Sequence, residues 1–138
     1  MACGGSGPVF AYSASFEKSC LRGLAERLPR LARPLRAIGA RVMDLRVVAE
    51  QRYYHPRQQG SWSIKELLPA IASDLGYDQL EGVRDGGTAM EAYREAIAPT
   101  TSAAERAKME RQLLEYCALD TFAMVRMWQH FTGRSPSH

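Results

Sequence analysis

The chain contains no Cys-x-x-Cys pair and only three cysteines, Cys3, Cys20 and Cys117. So few and scattered thiols supply neither the four ligands of a structural zinc site nor a disulfide framework. No stretch reaches the roughly 20 apolar residues needed to span a bilayer. The segment Met1-Ala2-Cys3-Gly4-Gly5-Ser6-Gly7 also lacks the basic start and apolar run of a secretory leader. These absences predict a cytoplasmic protein with reduced thiols and no membrane partner. No internal repeat is visible.

The 138 residues suffice for one core, and 46% apolar with 24% charged residues is the composition of an ordinary globular chain. The net charge of +3 is unevenly spread. Residues 1–56 carry nine Lys/Arg against four Asp/Glu, and residues 57–138 carry nine against eleven. An arginine-rich half suits a phosphate-bearing partner, and it equally suits a solvated helix face.

Pro8-Val9-Phe10-Ala11-Tyr12 reads as a buried strand. A helix from about Phe16 to Leu28 follows, with Phe16, Cys20, Leu24 and Leu28 as its apolar stripe. Glu17 lies in its first turn, where the helix dipole favours a carboxylate and where, beyond a strand's carboxyl end, α/β proteins also build sites. A second short helix spans Leu31 to about Ile38. Arg41 to Leu45 then reads as a second strand, with Val47-Val48 as its exit, so strand, helix and strand form a parallel pair. Asp44, at the end of that strand, is placed to cap or to line a site. Tyr53-Tyr54-His55-Pro56 opens a loop whose aromatics either stack on bases or pack the loop down. Capping boxes at Ser63/Glu66, Thr88/Glu91 and Ser102/Glu105 predict helices from Ile64 to about Ser73, from Thr88 to about Ile97, and a long one to about Thr132.

On that last helix, Leu113, Cys117, Asp120, Met124, Met127 and Phe131 share a stripe, which puts a carboxylate on an apolar face. Such a group is neutralised, paired or metal-bound, because burying it alone is costly. Tyr116 lies one turn earlier on the same side. Tyr-x-x-x-Asp therefore marks a candidate site, the alternative being a structural ion pair with an arginine.

Ser13-x-x-Phe16-Glu17 after a strand and Tyr116-x-x-x-Asp120 in a late helix resemble the second and third motifs of the four-acid, DnaQ-like 3′–5′ exonucleases of the RNase H-like superfamily. Ser13 stands for that superfamily's Asn, and Glu17 for its Asp. The resemblance implies Glu17 and Asp120 as ligands of Mg²⁺ or Mn²⁺ and Tyr116 as the residue positioning the attacking water. It also directs weaker attention to Lys65, His55 and Tyr54 as nucleic-acid contacts. Tyr12 to Lys18, Tyr54-His55-Pro56, Gly60 to Lys65 and Glu115 to Met124 are similar to a bacterial domain family of unknown function, number 2779 in its series. The superfamily's opening Asp-x-Glu has no counterpart, since residues 1–16 contain no Asp or Glu.

The expected fold is thus α/β: a partial RNase H-like fold with two parallel strands, about 8–12 and 41–46, mostly helices otherwise, lacking the first strands of the sheet. The expectation is one N-terminally truncated domain over 1–138, with 1–7 and 133–138 flexible. The expected function is the C-terminal portion of a metal-dependent 3′–5′ exonuclease, inactive as this chain, acting on DNA or RNA. Its missing N-terminal part or a second subunit would complete the sheet. The alternative is a non-catalytic domain that binds nucleic acid or protein.

Overall fold

The computed structural model describes residues 5–134. The chain is mixed α/β and mostly helical, with two parallel strands and six helices among the described residues. It divides into two compact units, Met1–Trp62 and Ser63–His138. Residues 1–4 and 135–138 of the ends expected to be flexible lie outside the described residues.

In the first unit, β1 (Val9–Ala11) pairs in parallel with β2 (Val42–Asp44), placing Val9 opposite Val42 and Ala11 opposite Asp44. Both strands are shorter than the sequence pattern predicts. Between them run α1 (Ser15–Arg27), a 3₁₀ turn (Pro29–Leu31) and α2 (Ala32–Ala40). Arg41 donates from Nη1 to the carbonyls of Gly5 and Gly7, the latter at 2.7 Å.

The predicted stripe of α1 is not its packing face. Phe16, Cys20, Leu24 and Leu28 are all exposed, whereas Ala25 is buried and Leu21 half-buried. α1 instead packs through the face that holds Leu21 and Ala25, and Leu21 Cδ1 comes within ordinary contact of Gly39 in α2, 3.8 Å from where its Cβ would stand.

Val47-Val48 is helical, not the exit of a strand, because α3 (Leu45–Arg52) begins directly after β2. Asp44 is the reason. Its Oδ1 accepts from Arg46 N at 2.9 Å and from Ser13 N at 3.0 Å, and its Oδ2 accepts from Ala14 N at 2.8 Å. One carboxylate thus starts a helix and satisfies two amides of the turn leaving β1. That turn needs the support, since Ser13 sits in the left-handed region at φ 62°.

In the second unit, α4 (Ile64–Ile71) starts where expected, and the Ser63 hydroxyl accepts from Lys65 N at 3.4 Å. The next helix starts earlier than expected. α5 (Gly86–Ala96) is capped by Asp85, which accepts from Thr88 N at 2.9 Å while Thr88 Oγ1 accepts from Asp85 N at 3.1 Å. Thr88 is therefore the third residue of the helix, because Asp85 offers an earlier and stronger acceptor. α6 (Ala103–Thr132) carries the capping box read from the sequence, with Glu105 N donating to the Ser102 hydroxyl at 3.2 Å. Gly133, at φ 68°, ends it in the left-handed conformation common at helix C-termini. Leu68, Ala72, Tyr77 and Ala123 form the core, with Tyr116, Leu119 and Met124 packed against it. None of the described helices is long and apolar enough to cross a membrane.

Candidate nucleic-acid interface

The α1–α2 segment of the first unit carries Lys18, Arg22, Arg27, Arg30, Arg33 and Arg36, all exposed. Among the described residues none of the six is in an ion pair with an acid. Some cations outside this segment do find partners: Arg46 Nε meets Glu50 at 2.8 Å, and Arg126 holds Asp74 through two nitrogens at 2.8 and 2.9 Å. The contrast follows from composition, since this stretch offers only Glu17 and Glu26 as acids. Six unneutralised cations within two helices and the turn that joins them create a local positive field. Arg27, Arg30, Arg33 and Arg36 recur every three residues, and that spacing was a readable signal that the general charge count did not isolate.

Near the C-terminal end of the same unit in sequence, residues 53–61 form a loop held from inside. Gln58 is fully buried; its Oε1 accepts from His55 N at 2.9 Å and its Nε2 donates to Ser61 O at 3.4 Å. His55 Nδ1 accepts from Arg57 N at 3.2 Å, so this histidine is a capping residue for the turn Pro56–Gln58. Its ring lies parallel to that of Tyr53, with centroids 6.5 Å apart. Tyr54, between them, is 69% exposed. Tyr12 ties the loop's end to β1 by donating its hydroxyl to Trp62 O at 2.6 Å, and burial pushes the Tyr12 phenol up to about 12.

Glu17 lies in the first turn of α1, partly buried, with Oε2 lacking a hydrogen-bond partner. Asp120 lies in the second unit, where it is joined by two phenols. Tyr77 donates to its Oδ1 at 2.5 Å, and the Tyr116 ring stands 6.0 Å from that of Tyr77. Burial, then the hydrogen bond and charge of Asp120, raises the Tyr77 phenol well above its ordinary value; burial and Asp120 do the same to Tyr116. The structure thus brings Tyr116 and Asp120 together and adds Tyr77, which sequence reasoning missed because it lies 43 residues away. The predicted stripe holds apart from one residue: Met127 is buried and Leu113, Asp120, Met124 and Phe131 are partly buried, whereas Cys117 is exposed.

Lys65 pairs with Asp85 at 3.6 Å beside an open cleft of about 340 Å³ lined also by Pro69, Gly76, Tyr77, Asp78 and Arg84. With Asp78 and Asp85 balancing Lys65 and Arg84, this cleft has no excess of positive charge. A two-ion centre requires several carboxylates converging on one point. Among the described residues no group of three or more His, Cys, Asp or Glu stands close enough to hold a metal ion. The donor set of the described chain therefore does not fit such a centre by itself.

Residues 1–63 match the family model described as Domain of unknown function (DUF2779). The matched segment spans the first unit and ends one residue into the second. No curated protein and no solved structure matches the chain.

Proposed function

We propose that this chain is a non-catalytic nucleic-acid-binding domain whose first unit holds the phosphate backbone through α1 and α2. The observation that carries the reading is the run of six exposed cations with no acidic partner among the described residues. Cations already paired within a protein gain little from a polyanion. Unpaired ones release its condensed counterions and make binding steeply salt-dependent.

Fluorescence anisotropy of a labelled oligonucleotide, titrated at several salt concentrations, tests this. The double variant Arg27→Glu/Arg30→Glu should bind more weakly, and the slope of log K against log salt should fall by roughly two. Asp120→Asn should bind like the parent. Equal losses in both variants, or binding to anionic vesicles without binding to the oligonucleotide, would overturn the proposal.

A second reading, that the chain is part of a metal-dependent 3′–5′ exonuclease, is favoured by one observation: Glu17, just beyond the turn that follows β1, has a buried carboxylate oxygen without a partner. Incubating a 5′-labelled single strand with the chain and Mn²⁺ separates the two. A ladder of shortened products that vanishes in Glu17→Gln and Asp120→Asn, from this chain or from a longer one that supplies further carboxylates, would support the exonuclease; an intact strand with both would support the non-catalytic reading.

A further inference from the structure

We infer that the ligand of this domain is single-stranded nucleic acid and that Tyr54 is the residue on which one of its bases stacks. The inference rests on the proposal above and deepens it by naming the form of nucleic acid. It starts from an unusual exposure. Tyr54 is 69% exposed, although the residues on either side of it, Tyr53 and His55, are partly buried.

The exposure is built rather than incidental. Tyr53 and His55 both have extended backbones, with φ −134° and −138°, so their side chains lie on one side, where the rings stack, and Tyr54 is turned to the other. The fully buried Gln58 fixes the loop by binding His55 N and Ser61 O, and His55 caps the following turn. A ring held on such a frame is pre-organised, so little ordering entropy opposes binding a flat partner. The flanking charges specify that partner's chemistry. Arg52 ends α3 and Arg57 lies in the turn after His55; both are exposed, and neither is in an ion pair among the described residues. An exposed aromatic ring with cations close to it in sequence has the residue types that take a base and its adjoining phosphates. Paired bases in a duplex offer no free face to such a ring, so the preference is for an unpaired strand.

The test compares a labelled single strand with a duplex of the same length and sequence, by anisotropy, for the parent, Tyr54→Ala and Tyr54→Phe. The single strand should bind more tightly than the duplex. Tyr54→Ala should weaken single-strand binding about tenfold, as loss of one stacked base predicts, with an unchanged salt slope and little effect on the duplex. Tyr54→Phe should restore the parent affinity, because stacking needs the ring and not the hydroxyl. If Tyr54→Ala binds the single strand like the parent while Arg27→Glu/Arg30→Glu still weakens it, the stacking role is overturned and the backbone-binding reading survives. If neither strand form binds the parent, both fall.

Discussion

Tyr77 donates its hydroxyl hydrogen to Asp120 Oδ1 across 43 residues of sequence, at 2.5 Å. The bond joins the turn after α4 to the middle of α6 within the core that Leu68, Ala72 and Ala123 complete. Asp120 therefore has a structural partner, and that partner is a phenol and not the arginine that the sequence suggested as the alternative. Tyr77→Phe should lower stability by about 2 kcal/mol, as expected for a lost hydrogen bond to a charged group, read from the urea midpoint. Asp120→Asn keeps an acceptor oxygen and should cost less. An unchanged midpoint in Tyr77→Phe would show that the bond contributes nothing.

Four phenols, those of Tyr12, Tyr53, Tyr77 and Tyr116, are raised above their ordinary value of 10, in each case first by burial. A group whose folded-state pKa is raised contributes stability that is fully present below its unfolded value and is lost as pH rises through the folded one. For Tyr12 that window runs from 10 to about 12, and for Tyr77 and Tyr116 it begins at the same lower bound. Absorbance titration of tyrosinate should show late ionisation that coincides with loss of the circular-dichroism signal. Complete ionisation with the fold intact would contradict it.

Ser13 occupies the left-handed region at φ 62°, a conformation that a side chain bearing a Cβ adopts at a cost of about 1–2 kcal/mol. The two bonds from the Ser13 and Ala14 amides to Asp44 hold it there. Ser13→Gly keeps those amides and removes the Cβ, so it should raise the thermal midpoint, whereas Ser13→Val should lower it. A lower midpoint for the glycine variant would mean that the hydroxyl matters more than the backbone.

Ser102 and Glu105 cap α6 reciprocally. Ser102→Ala should cost about 1 kcal/mol in a denaturant titration, and Ser102→Asp should recover most of it. Hydrogen exchange should locate the loss in the first turn of α6; a uniform change along the helix would argue against a capping origin.

Local chemistry was legible wherever it needed no distant partner. Val9 to Ala11 and Val42 to Asp44 are apolar enough to announce strands, Ser63 and Ser102 announce helix starts, and Gly133 marks the end of α6. Errors arose where one residue's effect was read without its neighbours. Val47-Val48 has strand propensity, yet Asp44 caps a helix there; Thr88 is a good N-cap, yet Asp85 precedes it.

The sequence by itself determined the long C-terminal helix, the arginine-rich first half and the pairing of Tyr116 with Asp120 on one side of a helix, because each depends on periodicity or charge along a short stretch, and it determined the parallel pair through the order strand, helix, strand. Only the tertiary structure decided which face of α1 is buried, that Tyr77 meets Asp120, that Asp44 joins the exits of both strands, and that six cations of the α1–α2 segment have no acidic partner among the described residues while Tyr54 faces solvent. Those outcomes depend on which side chains approach across long sequence separations, as where Leu21 of α1 meets Gly39 of α2 and Ala25 is buried while the larger apolar side chains of α1 are left outside.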